Sequence, residues 1–164
     1  MTLHDLYLLS PELSLAGLGI VVVLLDLVIG RKGILAVISV AGLVVPLAFS
    51  IALWGDLGGE PGGRMVGIFD TLVLDRFSLF FKLLIMGIVA LVIMSSVDYV
   101  SRFQRFQGEY YALMLFSASG MMLLAASVEL ISIYIALELS ALPLAALAAF
   151  TRDARSSEAG IKFL

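Results

Sequence analysis

The sequence predicts an all-α integral membrane protein with five transmembrane helices and the start of a sixth. Hydrophobic residues make up 62% of the chain and charged residues only 14%, whereas a soluble domain is about half apolar and about a quarter charged. The mean hydropathy of +1.12 agrees with this. The apolar residues also fall into five runs, each close to the roughly 20 residues with which a helix crosses a bilayer core.

The five runs are separated by charged or glycine-rich segments, and we treat residues 1–164 as a single membrane region. Each run is predicted to be helical, because a single segment in lipid satisfies its own backbone hydrogen-bonding groups only as a helix. Most loops are short, so consecutive helices are expected to pack as antiparallel neighbours. The predicted spans are residues 13–30, 33–54, 77–97, 110–126 and 130–150, and the sixth helix begins at residue 156.

The longest predicted connection, residues 55–76, is the one loop with a structure of its own. It contains the turn-rich sequence GGEPGG at residues 58–63. The apolar residues that follow, within 66–74, predict a short strand or hairpin arm outside the membrane.

The last nine residues, SSEAGIKFL, are helix-forming but too short to span a bilayer. Nine helical residues rise only about 13 Å, so we expect a sixth span that continues in a longer chain or in a separate polypeptide. Glu158 and Lys162 have the i,i+4 spacing of a helical ion pair. Lys162 would lie about 9 Å from the helix start, where the alternatives are a functional cation and a lysine that extends its amine to the interface.

The loop charges predict the orientation of the helices. Lys and Arg concentrate on the cytoplasmic side of membrane proteins, and alternate loops of this chain hold six basic residues against two. The N-terminus is therefore expected outside, and the fifth helix runs from outside to inside. The six are Arg31, Lys32, Arg102, Arg105, Arg152 and Arg155, and the two are Arg64 and Arg76.

Glu138 is the main candidate functional residue, because it is a carboxylate near the middle of the fifth apolar run. A charge at the centre of a membrane helix costs about 3 kcal/mol on insertion scales, and such residues are functional by default. Pro143 removes the amide donor for the carbonyl of Leu139, which leaves a polar spot where water could enter. Tyr134, four residues before Glu138, shares its helix face. The alternative is a carboxylate bonded to a neighbouring helix without a transport role.

Other charged or small residues have simpler predicted roles. Lys82 is expected to extend its amine to the outer interface, and Asp26 to pair with the basic residues 31–32. Glu12 is expected to complement the dipole of the first helix, behind a Ser10 cap. The small residues 117–120 predict a close helix contact.

The composition excludes several classes of site within this chain. There is no Cys and a single His, His4 near the N-terminus. We therefore expect no iron–sulfur, haem or metal site, no cofactor site and no catalytic residues here. No basic run indicates nucleic acid, and the expected surroundings are the lipid bilayer.

Several stretches, taken in order, resemble the N subunit of respiratory complex I, the proton-pumping NADH:quinone oxidoreductase. The similarity runs over essentially the whole chain and corresponds to the N-terminal part of that subunit. The stretches are SPEL at 10–13, DRFSLFFK at 75–82, GEYYALMLFSASGMMLLAAS at 108–127, LISIYIALELSALPLAAL at 130–147 and RSSEAGIKFL at 155–164.

The resemblance implies an antiporter-like fold of fourteen helices with two inverted five-helix repeats and the N-terminus outside. Glu138 matches the key Glu of the fifth helix, and Lys162 matches a Lys of the sixth, so the two are expected to serve proton translocation with Pro143 and Tyr134 in support. NADH, FMN, iron–sulfur clusters and quinone would be bound by other subunits. M-type and K-type subunits would be its neighbours, in a bacterial inner (plasma) membrane or an equivalent energy-transducing membrane.

Two alternative functions stay open at this point. Subunits of multisubunit cation/proton antiporters resemble the same family and share the membrane Glu. A truncated membrane scaffold that conducts nothing is the other alternative, since the family's later lysines have no counterpart in these residues.

Overall fold

The computed structural model describes residues 3–28, 33–59, 62–67, 70–101, 103, 106–151 and 153–163. Within them the protein is helical apart from one β-hairpin. The elements in chain order are α1 Leu3–Leu8, α2 Ser10–Val28, α3 Gly33–Gly42, α4 Val44–Leu57, β1 Arg64–Gly67, β2 Leu72–Asp75, α5 Arg76–Val100, α6 Gln107–Ala126, α7 Leu130–Ala148 and α8 Ala154–Phe163.

The five predicted membrane spans are confirmed, since five helices are long and apolar enough to cross a bilayer. The chain is a multi-pass membrane protein. The second span runs through α3 and α4 together, from Gly33 to Leu57. The two helices are separated at Leu43 because Pro46 has no N–H to donate to the carbonyl of Gly42.

The first residue of the third span differs slightly from the prediction because of a capping box. Helix α5 begins at Arg76 rather than at residue 77, since the Asp75 carboxylate accepts from the Ser78 backbone N–H at 2.7 Å. The Ser78 hydroxyl is in turn 2.9 Å from the Asp75 backbone N–H, which donates to it. The two bonds satisfy donors that a helix start leaves unpaired.

A short helix that the sequence did not reveal, α1, precedes the first span. Tyr7 donates its hydroxyl to the Asp56 carboxylate at 2.7 Å, which ties α1 to the end of α4. This hydrogen bond, followed by desolvation and the negative charge of Asp56, raises the pKa of Tyr7. The prediction that Ser10 caps the first span was wrong in detail. The Ser10 hydroxyl donates to the Tyr7 carbonyl instead, because α1 runs directly into α2 and leaves no free helix start there.

The predicted hairpin arm is present. Strands β1 and β2 pair antiparallel, with Arg64 opposite Asp75 and Gly67 opposite Leu72. The hairpin is fastened to the end of α6, because the Val128 N–H donates to the Thr71 carbonyl at 3.0 Å. It closes the end of the bundle at which α2, α5 and α7 begin and α4 and α6 end.

Helix α6 lies at the centre of the bundle and contacts α2, α5 and α7. Helix α6 has small residues where it packs on α7. A Cβ added to Gly120 would lie 2.5 Å from the backbone N of Ser140. Glycine is therefore required for the two helices to approach so closely. Helix α7 packs on α6 and α8, which leaves much of its remaining surface uncovered by the described residues.

Candidate functional site

Glu138 lies in the interior of α7, eight residues after the helix begins at Leu130. That spacing corresponds to a rise of about 12 Å, well inside the apolar span. Helix α7 continues through Pro143. The Glu138 side chain is half-buried.

Glu138 points away from α6. Ala136 and Ser140 are the buried residues of this part of α7, and Ser140 contacts α6. Glu138 is rotated by about 200° from each of them at roughly 100° per residue. It therefore shares a stripe with Tyr134, which is 63% exposed, and with Leu142, which is exposed as well.

The carboxylate of Glu138 makes no hydrogen bond or ion pair with the residues that the structure describes. Helix α7 itself is held firmly, because the Ser117 hydroxyl donates to the Ser140 carbonyl at 3.0 Å. The predicted close contact of the small residues 117–120 is thus confirmed. The arrangement presents a fixed carboxylate on a face of the bundle that these residues leave uncovered.

Lys162 lies on α8 and is not brought to Glu138. Its Nζ atom is 2.5 Å from the Glu158 carboxylate, the predicted i,i+4 pair, and the two side chains are 73% and 63% exposed. Gly160 marks the face of α8 that touches α7, at Ala145 and Ala149. Two residues further on, Lys162 projects about 200° away from that contact.

The start of α8 is fixed by Asp153. Its carboxylate accepts from the Ser156 backbone N–H at 2.6 Å. This hydrogen bond is the main reason why the pKa of Asp153 is lowered. The sixth helix therefore begins at Ala154, two residues earlier than predicted, behind a side-chain cap.

The prediction for Lys82 was wrong. Lys82 does not extend to the interface: its side chain is 1% exposed, and its Nζ lies 2.6 Å from Oε1 of Glu12, which is 6% exposed. Helix α5 directs Lys82 inward, toward α2, so a carboxylate inside the bundle pairs with it instead of water. Glu12 is accordingly more than a first-turn acid, because it forms half of a buried ion pair.

The sequence carried no clear signal for this pair, because α5 is apolar around most of its circumference, and only the burial pattern of the folded helix reveals its inward face. The buried residues of the helix recur at i, i+4, i+8, i+11 and i+15, which is one helical face. Lys82 occupies the second of these positions, so the face that buries the apolar residues also buries the lysine. The members of this face are Ser78, Lys82, Met86, Val89 and Ile93.

The ion pair is joined to the centre of the bundle. Ser119 of α6 donates its hydroxyl to the backbone carbonyl of Glu12 at 3.2 Å. Both carboxylate oxygens of Glu12 are buried and neither accepts a hydrogen bond from the described residues, although Oε1 lies 2.6 Å from Nζ of Lys82. Glu12 is thus held electrostatically rather than by a full set of hydrogen bonds.

Asp26 lies at the other end of α2 and packs directly on Gly108. A Cβ added to Gly108 would be 2.4 Å from Cβ of Asp26, so α2 and α6 meet closely here. The predicted partners, residues 31–32, lie outside the described residues. That pairing stays a prediction. No group of three potential metal ligands occurs in the parts of the chain that the structure describes.

Comparison with known proteins relates the chain to one subunit family. No protein-family model matches the chain. The N subunit of NADH-quinone oxidoreductase from Dehalococcoides mccartyi is 37% identical over 96% of this chain and 31% of its own length. The N subunit from Moorella thermoacetica is 39% identical over 98% of this chain and 33% of its own. The chain is therefore a homologue of NADH-quinone oxidoreductase subunit N.

The fold agrees with this relationship. A chain in the structure of respiratory complex I from Thermus thermophilus with bound aureothin superimposes with a TM-score of 0.68 and 31% identity, over 93% of this chain and 32% of that one. The present chain spans about a third of the length of the curated N subunits it matches. The resemblance found in the sequence is confirmed, as is the all-α membrane fold.

Proposed function

We propose that this chain serves as part of a proton-translocating, antiporter-like subunit of NADH:quinone oxidoreductase, coupling quinone reduction elsewhere in the complex to proton movement across the membrane. The observation that carries the proposal is a half-buried carboxylate, Glu138, inside the fifth membrane helix of a chain related to N subunits over nearly its whole length. Intramembrane carboxylates of this kind mark ion and proton paths.

In this proposal Glu138 works as a charge switch. Burial disfavours the charged form of a carboxylate, and a nearby cation favours it. When a lysine approaches, Glu138 is ionised; when the lysine withdraws, Glu138 takes up a proton. Pro143 supports the step because the Leu139 carbonyl one turn away lacks its usual donor, and Tyr134 offers a hydroxyl on the same face.

Lys162 is proposed as one lysine partner of the translocation path. Its side chain is largely exposed and, among the residues that the structure describes, contacts only Glu158, and an exposed ion pair contributes about 0–1 kcal/mol. The free energy needed to move the Lys162 amine from Glu158 to another carboxylate is therefore small. The stripe of Glu138, Tyr134 and Leu142 requires further protein or lipid against it, which is consistent with a chain that spans a third of its relatives.

The proposal places the reaction chemistry in other subunits. NADH, FMN, iron–sulfur clusters and quinone would be bound there, with M-type and K-type membrane subunits as neighbours. The expected location is a bacterial inner membrane or an equivalent energy-transducing membrane, with the N-terminus outside. The superimposed chain comes from a structure of respiratory complex I, and this supports a multisubunit setting.

The test is Glu138→Gln in the assembled complex, with NADH:quinone electron transfer and proton translocation measured together. We expect the proton-to-electron ratio or the coupled rate to fall. Glu129→Gln is the matched control, because Glu129 precedes the same helix and is exposed. Native pumping in Glu138→Gln would end the proton role and leave the scaffold function; exchange of another cation would favour the antiporter alternative.

A further inference from the structure

A cavity adjoins the buried Glu12–Lys82 ion pair. It lies between the α1–α2 junction, α5, the hairpin and Ala126 at the end of α6, and it offers about 10 Å³ to the centre of a water molecule. About 10–15 Å³ by this measure is the space one water needs. The cavity thus reaches the lower limit for one water and is too small for a lipid chain or a cofactor.

The polar side chains that line the cavity belong to the ion pair. Oε2 of Glu12 is buried and lacks a donor among the described residues. Lys82 carries three N–H donors, and its 2.6 Å contact with Oε1 is an ion pair that lacks hydrogen-bond geometry. A buried water needs two to four polar partners, and an acceptor and a donor stand side by side here.

We propose that Glu12 and Lys82 form a binding site for one structural water, which donates to Oε2 of Glu12 and accepts from Nζ of Lys82. The remaining lining is apolar and belongs to Leu8, Leu9 and the hairpin residues Leu72, Val73 and Leu74. These residues separate the site from the end of the bundle. The inference is independent of the proposed function, because it concerns a pair that the proton proposal does not use.

The charge of the site favours water over a metal cation. Lys82 stands 2.6 Å from the carboxylate and already supplies the positive charge. A second cation would be repelled at this distance, whereas a neutral molecule that both donates and accepts fits both groups.

The direct test is an electron cryo-microscopy map of the intact membrane assembly, at a resolution that shows waters elsewhere in the same subunit. We expect a density peak at hydrogen-bond distance from Oε2 of Glu12. A map without such a peak, or one in which a protein group donates to Oε2, would overturn the proposal.

A substitution provides a second test. Ala126→Val adds two methyl groups to the lining of the cavity, so we expect it to displace the water and leave Oε2 without a donor. We expect the temperature at which half of the chain dissociates from the assembly to fall by at least about 2 °C. In a Glu12→Met/Lys82→Met background the same substitution has no oxygen to leave unpaired, so we expect a smaller loss, from the steric effect of the added methyl groups alone. Equal losses in both backgrounds would contradict a water site.

Discussion

Removal of Lys82 alone is expected to destabilise the chain far more than removal of both members of its ion pair. Lys82 and Glu12 are 1% and 6% exposed, with their charges 2.6 Å apart. Breaking a buried pair leaves one charge uncompensated and costs about 3–5 kcal/mol, whereas replacing both partners by apolar residues is often neutral. Lys82→Met and Glu12→Met are therefore each expected to cost about 3–5 kcal/mol, and the double variant much less than either.

The size of this effect can be read from the temperature at which half of the chain dissociates from the purified assembly. For a chain of this size about 1 kcal/mol corresponds to roughly 2–4 °C, so each single variant should lose about 6–20 °C. Lys162→Met is the matched control, because its pair with Glu158 is 73% and 63% exposed and contributes about 0–1 kcal/mol.

Two outcomes would refute the reasoning about Lys82. A loss in Lys82→Met no larger than in Lys162→Met would mean that the amine reaches the interface after all. Additive losses in the Glu12→Met/Lys82→Met double variant would mean that the two side chains do not depend on each other, since contacting residues couple and distant ones add.

Two further predictions follow from the packing of α6 and from the start of α8. Gly120→Ala should destabilise the same assembly by about 1–3 kcal/mol, because its Cβ would lie 2.5 Å from the backbone N of Ser140 in α7. The control is Gly17→Ala, whose Cβ would have nothing within 4 Å and which should leave stability unchanged or raise it by about 0.5–1 kcal/mol. Equal effects of the two substitutions would contradict the close contact. The hydrogen bond from the Ser156 N–H lowers the pKa of Asp153. The Asp153 carboxylate therefore stabilises α8 fully at pH values above the ordinary aspartate pKa, and this stabilisation is lost as the pH falls through the lowered pKa. Amide hydrogen exchange at Ser156 should be slower in the native chain than in Asp153→Ala above that pH range and similar in the two below it, and identical exchange in the two proteins at neutral pH would exclude the cap.

The order of the helices was predictable because the bilayer imposes a length and a composition on each span. The spans from residues 77–97 and 130–150 were found to within a few residues of α5 and α7. The helix ends differ where side-chain caps decide them, as at Asp75 and Asp153. A cap of this kind depends on a single residue, whereas hydropathy is averaged over about 20 residues. Hydropathy therefore does not locate the exact helix ends.

The Glu12–Lys82 pair could not be predicted from local sequence because its members lie on different helices. Each side chain, taken alone, stands near a helix start, where a charged group usually reaches water. Only the packing of α5 on its neighbours, with Lys82 on the face that buries Met86 and Ile93, turns the lysine inward. Both the inward face of α5 and the identity of the partner therefore required the fold.

The carboxylates of Glu12 and Glu138 therefore differ in what they are able to do. Glu12 faces a lysine that α5 holds in place, so the removal of either partner would leave an uncompensated charge inside the bundle. Glu138 has no such partner among the described residues, and its face of α7 is open to whatever packs there. A carboxylate whose partner is rigid suits a structural role, and one whose partner comes from elsewhere suits a switch. This difference in partners, together with the place of Glu138 inside a membrane helix, is the reason to propose proton movement for Glu138 and a stabilising role for Glu12.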